Sequence, residues 1–254
     1  VCAVTGALGG TGVEICREFA RNGANVVLLD LDEEKVQAAA ADLATEFGIH
    51  AEGYKMNATD EAEVQAAVDA TIADFGRVDV LVNTAGILRF AAMEDLPLSD
   101  WEQVLNVNLT GYFITSQRFG REMIKAGQGC LVHISTVASH SPETFSGVYS
   151  STKAGVNMMS KMLAAEWGPY GVRSNCVEPC FVKTPMSASF YADPEVEKSR
   201  SRLIATRRIG EVSDIANAVM FLASKRSDFT TGDAIKVDGG FSNMMGDLTA
   251  KPGG

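Results

Sequence analysis

The sequence lacks long apolar runs, basic clusters and any paired spacing of cysteine or histidine. No apolar stretch approaches the roughly 20 residues of a membrane span, and no secretion signal opens the chain. The 254 residues carry a net charge of −10 without a basic run, which disfavours nucleic acid and membrane surfaces as partners. Five scattered cysteines fit reduced thiols, and three histidines form no metal-ligand pattern. These absences predict a cytoplasmic protein without a metal site.

Short Val, Leu and Ile runs alternate with longer amphipathic segments. Strands that are apolar on both faces and alternate with helices indicate a parallel sheet covered on both sides. The predicted strands are Val1–Thr5, Asn25–Asp30, His50–Lys55, Val78–Asn83, Cys130–Ser135, Val172–Val177 and Ala234–Val237. The predicted helices are Gly10–Arg21, Glu33–Phe47, Glu61–Phe75, Asp100–Lys125, Val148–Trp167 and Val212–Ala223. No linker or repeat divides the chain, so we expect one doubly wound α/β domain over residues 1–254.

One segment departs from this alternation. Residues 185–210 are polar, charged and only partly helical in pattern, and they follow the sixth predicted strand. We expect an insertion there that forms a lid near the end of a strand. Arg207 and Arg208 at its end are compatible with an anion site, although solvated charges are the more ordinary interpretation.

A glycine-rich loop, Thr5 to Gly12, follows the first predicted strand and opens the first helix. Glycines there permit a tight turn and let backbone N–H groups approach a pyrophosphate at the helix N-terminus. The second strand ends in Asp30, about 20 residues further on, where a carboxylate accepts hydrogen bonds from a ribose. A negative charge there repels the 2′-phosphate of NADP. The pattern predicts a Rossmann-type fold that prefers NAD; the alternative role, capping of the next helix, fits Asp32 better than Asp30.

Tyr149 and Lys153 stand four residues apart in a predicted helix, so their side chains share a face. An ammonium beside a phenol favours the ionised form and lowers the pKa of the phenol from about 10. Tyr149 would then exchange a proton with an alcohol or a carbonyl. Taken alone, such a pair is more typical of an exposed aromatic and a solvated lysine, and the rest of the chain decides between the two.

Five motifs in order along the chain resemble those of the short-chain dehydrogenase/reductase family. They are the Gly6/Gly10/Gly12 loop, Asn83-Thr84-Ala85-Gly86, Asn106 to Gly111, Tyr149-x-x-x-Lys153 and Val237-Asp238-Gly239-Gly240. The resemblance covers essentially the whole chain. It implies a hydride transfer between nicotinamide and an alcohol or carbonyl carbon, for which the cofactor supplies the chemistry. The expected activity is that of an NAD-dependent alcohol dehydrogenase or ketone reductase.

The resemblance also implies roles for single residues. Tyr149 would be the acid/base, Lys153 would lower its pKa and hold the nicotinamide ribose, and Asn108 would anchor a water that leads protons to Lys153. Asn57 stands where the family usually holds adenine with Asp. The implied cofactor-binding residues are Gly6, Leu8, Gly10, Thr11, Gly12, Asp30, Leu31, Asn57, Ala58, Asn83, Ala85, Gly86, Tyr149, Lys153, Pro179, Cys180, Val182 and Thr184.

Two positions depart from the family pattern. The family places a serine thirteen residues before the tyrosine, and here that position holds Thr136. Either Thr136 holds the substrate oxygen with its own hydroxyl, or Ser135 does so after a one-residue shift, or the site is weakened. Cys180 stands where glycine is common, as a packed residue or as a reactive thiol. Thr184 would bond the nicotinamide carboxamide, or it would cap the first turn of the lid ahead of Pro185.

The expected substrate pocket is mostly apolar and aromatic. Its candidate residues are Val137, His140, Phe145, Phe181, Met186, Phe190 and Tyr191. Such a lining favours an uncharged secondary alcohol or ketone, cyclic ones included, over a sugar phosphate. Two alternatives stay open: a sugar or polyol dehydrogenase with the same machinery, and a catalytically silent NAD-binding sensor.

Family members are commonly tetramers, so a homotetramer or homodimer is expected. The helices predicted at Asp100–Lys125 and Val148–Trp167 would supply its isologous interface. The tail Asn243–Gly254, with Met244 and Met245, is expected to pack on a neighbouring subunit.

Overall fold

A computed structural model describes residues 1–244, apart from the side chains of Met186, Ser189 and Phe190. The expected substrate contacts of Met186 and Phe190 therefore lie outside the described side chains. Most of the tail that was expected to pack on a neighbour lies outside the described residues as well. That all 254 residues form one domain stays a prediction.

Seven parallel strands form one sheet in the order β3-β2-β1-β4-β5-β6-β7. The strands are β1 (Cys2–Thr5), β2 (Val26–Asp30), β3 (Ala51–Lys55), β4 (Val80–Asn83), β5 (Gly129–Ile134), β6 (Val172–Pro179) and β7 (Ala234–Val237). The order reverses between β1 and β4, and in doubly wound sheets ligands bind at the carboxyl ends of the strands next to that point. The predicted doubly wound α/β fold is confirmed, and each predicted strand agrees with the observed bounds to within two residues.

The helices are α1 (Gly10–Arg21), α2 (Glu33–Phe47), α3 (Glu61–Phe75), α4 (Leu98–Leu105), α5 (Gly111–Ala126), α6 (Tyr149–Trp167), α7 (Pro194–Arg202) and α8 (Val212–Ala223). Capping residues determine where several of these helices begin and end. Asp32 caps α2 by accepting from the N–H of Lys35, and α2 ends at Gly48, whose φ of 66° is left-handed. The helix predicted over residues 100–125 is present as continuous helical backbone, but the π-helical turn Asn106–Thr110 within it separates α4 from α5.

Two apolar layers hold the helices against the sheet. Alternate strand residues such as Val4 and Val82 pack under α1, α2 and α8. The residues between them, such as Leu29 and Leu131, pack under α3, α5 and α6. Because both faces are covered, the central strands are apolar throughout, as the sequence pattern indicated. None of the described helices is long and apolar enough to cross a membrane.

The expected lid contains a short 3₁₀ segment, Pro185–Tyr191, followed by α7. It closes onto the glycine-rich loop, because a Cβ added to Gly10 would lie 2.5 Å from Cδ of Pro185. An ion pair of 2.7 Å between Lys183 and Glu197 joins the end of β6 to α7. The lid is thereby placed over the switch point of the sheet.

Candidate active site

The glycine-rich loop has a backbone that only glycine adopts without cost. Gly6 has a φ of 64°, and a Cβ added there would lie 2.8 Å from the backbone of Ala85. A Cβ on Gly12 would lie 2.2 Å from the carbonyl oxygen of Gly6. The residue before α1, Gly9, carries no side-chain cap, so the first N–H groups of the helix are directed toward the crevice. This arrangement suits a pyrophosphate.

Asp30 joins this loop to the end of β2. Its Oδ2 accepts from the N–H of Leu8 at 2.9 Å, and its Oδ1 accepts from the N–H of Leu31 at 2.7 Å. Asp32, in contrast, caps α2. The capping role therefore belongs to Asp32, and the ribose role of Asp30 stays a prediction.

On the side of the site where adenosine was expected, the structure restricts how Asn83 could take part. The side chain of Asn83 is fully buried, accepts from Thr115 at 2.9 Å and donates to Ser116 at 3.1 Å. Asn83 can therefore line a cofactor site only through its backbone. The Oδ1 of Asn57 accepts from the N–H and the hydroxyl of Thr59, and the adenine contact of Asn57 stays a prediction.

Tyr149 opens α6, and Lys153 follows one turn later with its ammonium 5.8 Å from the centroid of the Tyr149 ring. Lys153 is 3 % exposed, and burial lowers the pKa of its amine to about 8. Removal from water, with Glu143 adding to it, raises the pKa of the Tyr149 phenol to about 12. Burial of the phenol thus outweighs the expected lowering of that pKa by Lys153. The Lys153 ammonium instead donates to the carbonyl of Ile134 at 2.7 Å.

Asn108 lies within the π-helical turn and is fully buried. Its Oδ1 accepts from the N–H of Ile87 at 2.8 Å, and its Nδ2 donates to the carbonyl of Ile87 at 2.9 Å. A Cβ on Gly86 would lie 3.4 Å from that Oδ1 and 3.9 Å from Nζ of Lys153. The Asn108 side chain therefore fixes the segment after β4 beside Lys153. That Asn108 anchors a water that leads protons to Lys153 stays a prediction.

The two candidate hydroxyls differ in their surroundings. Ser135 is 2 % exposed and donates to the carbonyl of Lys153 at 3.3 Å, so its hydroxyl ties β5 to α6. Thr136 is half-buried at the end of β5, accepts from the N–H of Ala138 and donates to the carbonyl of Pro179, both at 3.2 Å. Of the two residues, Thr136 is the more exposed, and its contact with the substrate oxygen stays a prediction.

Cys180 and Thr184 follow β6. The Cys180 thiol donates to the carbonyl of Asp238 at 3.4 Å, and burial raises the pKa of that thiol to about 11. A thiol with this pKa stays protonated near neutral pH, which favours the packed residue over the reactive one. Thr184 accepts from the N–H of Ser187 at 3.2 Å and so caps the first turn of the lid, with Pro185 at its first position. Two residues before Thr184, Val182 forms a parallel β-bridge with Gly210.

The expected apolar wall is only partly apolar. Phe145 is 69 % exposed at a left-handed φ of 63°, and its carbonyl accepts from Ala91. Phe181 packs edge-on against Phe241 with ring centroids 5.2 Å apart. Val137 is buried and contributes little surface. Tyr191 lines a cavity of about 500 Å³ between the glycine-rich loop and the lid.

A polar cluster lies beside Thr136 instead. Glu178 of β6 is fully buried, and its Oε1 accepts from His140 at 2.7 Å, from Asn157 at 2.6 Å and from Ser139 at 3.1 Å. The His140 side chain is about half exposed. Glu178 precedes Pro179, the residue that Thr136 contacts, so His140 and Thr136 bind adjacent residues of one strand. The sequence pointed to His140 but not to Glu178.

Tyr112 of α5 was not anticipated either. Its hydroxyl lies 3.2 Å from Nζ of Lys153, and its ring centroid lies 4.7 Å from the same atom. Among the described residues, no cluster of three or more His, Cys, Asp or Glu side chains could hold a metal ion.

The chain is similar to known dehydrogenases and reductases. A family model described as enoyl-(acyl carrier protein) reductase matches residues 6–242. D-threitol dehydrogenase of Mycolicibacterium smegmatis is 39 % identical over 95 % of this chain and 92 % of its own. A gluconate 5-dehydrogenase of Burkholderia cenocepacia in complex with NADP and tartrate has a TM-score of 0.91 at 33 % identity, covering 95 % and 94 % of the two chains. An NAD⁺-bound xylitol dehydrogenase has a TM-score of 0.86 at 29 % identity, covering 92 % and 96 %.

Proposed function

Because the chain belongs to the short-chain dehydrogenase/reductase family, we propose that it is an NAD-dependent enzyme that interconverts an uncharged secondary alcohol and a ketone. One observation carries this proposal. Tyr149 and Lys153 stand in the first turns of α6, and Lys153 contacts the carbonyl of Ile134, the last residue of β5 and two residues before Thr136. These three groups are the acid/base, the cation and the hydroxyl that the reaction needs.

The preference for NAD rests on Asp30. A carboxylate at the end of β2 would accept from the ribose hydroxyls and repel a 2′-phosphate. The uncapped start of α1 and the close backbone approaches at Gly6 and Gly12 fit a pyrophosphate. One similar structure holds NADP and another holds NAD⁺, so these structures do not indicate which cofactor this chain prefers. The carboxylate of Asp30 is what supports NAD.

The reaction needs a proton at the Tyr149 hydroxyl to move. With a pKa of about 12, the phenol holds its proton near pH 7, which is the state that ketone reduction requires. Alcohol oxidation requires the phenolate, and the Lys153 ammonium stabilises that anion. Bound nicotinamide would accept or supply the hydride and, when oxidised, add a second positive charge. Thr136 would hold the substrate oxygen within reach of Tyr149.

Among secondary alcohols, a polyol is the class with the most support. The similar proteins include D-threitol and xylitol dehydrogenases. The half-exposed imidazole of His140, held by the buried carboxylate of Glu178, offers a hydrogen-bonding group beside the Thr136 position. A simple or cyclic alcohol would use only the apolar side chains of Phe145 and Phe181.

The test is the absorbance of NADH during incubation with NAD or NADP and D-threitol, xylitol, 2-butanol or cyclohexanol. We expect turnover with NAD, fastest with a polyol. Tyr149→Phe should lower turnover by about 10³-fold while leaving NAD affinity nearly unchanged. Equal activity of this variant would remove the acid/base assignment. Tight NAD binding without turnover of any alcohol would instead support the silent sensor.

We also propose that the protein is a homo-oligomer, a tetramer or a dimer, in the cytoplasm. Phe113 of α5 and Met158 and Met162 of α6 are 47 %, 58 % and 55 % exposed, which supports pairing of these helices across a two-fold axis. All five cysteines are free thiols, as a reducing compartment favours. Light scattering in solution tests the assembly, and a monomer at micromolar concentration would refute it.

A further inference from the structure

Lys153 is held by two groups that belong to neither substrate nor cofactor. Its ammonium donates to the carbonyl of Ile134 at 2.7 Å and to the hydroxyl of Tyr112 at 3.2 Å. The Tyr112 hydroxyl in turn donates to that same carbonyl at 3.2 Å. Tyr112 is 1 % exposed, so this triangle of contacts is shielded from water.

The hydrogen-bonding capacity of Lys153, Tyr112 and the Ile134 carbonyl determines which group donates and which accepts in each contact. An ammonium has three N–H donors and no acceptor, so two of its donors are committed inside the protein. Since Tyr112 gives its own proton to Ile134, a lone pair of its oxygen faces Lys153. Burial holds the pKa of Tyr112 well above its usual value, so the hydroxyl stays neutral and accepts as a dipole. The ring face, 4.7 Å away, adds a cation–π contact.

We infer that Tyr112 is a positioning residue that acts through Lys153. Its hydroxyl and the Ile134 carbonyl orient the ammonium so that the remaining N–H is directed toward Tyr149 and the nicotinamide ribose. A preorganised cation stabilises a developing phenolate more than a freely rotating one does, because no reorientation is needed during the reaction. This inference rests on the proposed function for its role in catalysis, but the anchoring of Lys153 can be measured without a substrate.

The other titratable groups around Lys153 are silent in the working range. Burial lowers the pKa of His133 on β5 to about 3 and raises that of Cys176 on β6 to about 12. Both groups are therefore neutral between about pH 5 and 9. Tyr149 on α6 titrates with Lys153, and Glu143 in the loop before α6 acts on Tyr149 as a nearby negative charge. Changes in the chemical shift of Lys153 in this range thus report on the Lys153 ammonium itself.

The variant Tyr112→Phe tests the inference because it keeps the ring, its packing and the cation–π contact and removes only the hydroxyl. Losing an acceptor disfavours the charged amine, so the pKa of Lys153 should fall by about half a unit to one unit. The ¹³Cε shift of Lys153 in ¹³C-lysine-labelled protein, assigned with Lys153→Met, measures this in the absence of substrate. The less charged Lys153 then stabilises the Tyr149 phenolate less, so the acid limb of kcat/KM for alcohol oxidation should move to higher pH. Near pH 7, kcat/KM should fall by about tenfold.

Tyr54→Phe is the matched control, because its hydroxyl bonds Asp74 on α3, far from Lys153. It should leave the Lys153 pKa and the rate profile unchanged. If Tyr112→Phe changes only the melting temperature, and neither the Lys153 shift nor the acid limb moves, Tyr112 is merely structural and the inference is overturned. If the variant changes the pKa of Lys153 but the protein oxidises no alcohol, the anchoring of Lys153 by Tyr112 is supported and the proposed function is refuted.

Discussion

The crevice has two halves that meet at one sheet edge and obtain their geometry by different means. The nucleotide half, formed by β1, the glycine-rich loop, α1 and the end of β2, is shaped by the backbone. The substrate half, formed by the ends of β5 and β6 with α6 and the lid, is shaped by side chains from distant segments. Lys153 and Tyr112 are 41 residues apart, and His140 and Glu178 are 38 apart. We therefore expect backbone changes to disable the first half and the loss of single polar atoms to disable the second.

After Tyr149→Phe, the largest effect is expected from a pair of hydroxyl deletions in the substrate half. Thr136→Ala should lower kcat/KM by about 100-fold, because the substrate oxygen loses its positioning donor. Ser135→Ala should lower it far less, because that buried hydroxyl contacts only the carbonyl of Lys153. Steady-state rates of the two variants decide the question. The reverse ranking would transfer the substrate contact to Ser135.

A backbone change should have the next largest effect, in the nucleotide half. Gly12→Ala places a Cβ 2.2 Å from the carbonyl oxygen of Gly6, so the loop must move, at a cost of about 2 kcal/mol. NAD affinity should fall about 30-fold, as fluorescence quenching would measure. Gly168→Ala is the matched control, since a Cβ there meets nothing within 4 Å and the φ of −50° is ordinary. Unchanged affinity for Gly12→Ala would contradict the backbone account.

A smaller effect is expected from the single side chain on which cofactor choice depends. Asp30→Ala should shift the ratio of kcat/KM for NADP over NAD upward by about tenfold, because the repulsion of the 2′-phosphate is removed. The rate with NAD should fall as well, partly because the N–H groups of Leu8 and Leu31 lose the carboxylate that accepts their hydrogen bonds. The initial rates with the two cofactors measure the ratio. An unchanged ratio would remove the ribose role of Asp30.

The smallest effect concerns the choice among alcohols. His140→Ala should lower kcat/KM for D-threitol about fivefold, the value of one hydrogen bond, and leave 2-butanol nearly unaffected. Phe145→Ala, in the same loop, should instead weaken 2-butanol at least as much as D-threitol. Rates on the two alcohols distinguish the residues. Equal losses on both alcohols for His140→Ala would indicate that His140 only holds the loop.

The two halves also differ in how far the sequence predicted them. In the nucleotide half, the loop, the strand ends and the capping of α2 by Asp32 could be predicted because they follow from local spacing and glycine conformations. In the substrate half, the pair Tyr149 and Lys153 could be predicted from its helical period. Its electrostatics could not, because the direction of the ammonium and the pKa of the phenol depend on burial and on Tyr112.

The sequence by itself determined the alternation of strands and helices, the glycine-rich loop and the turn of α6 that carries the reactive pair. Each of these depends on residues a few positions apart, whose backbone preferences and periodicity act before the chain is packed. Tertiary structure alone decided the burial of Asn83, the π-helical turn at Asn108, the Glu178 cluster and the contact of Tyr112 with Lys153. Those contacts join segments that meet only when the sheet is assembled, and burial then sets how strongly each charge and hydrogen bond acts.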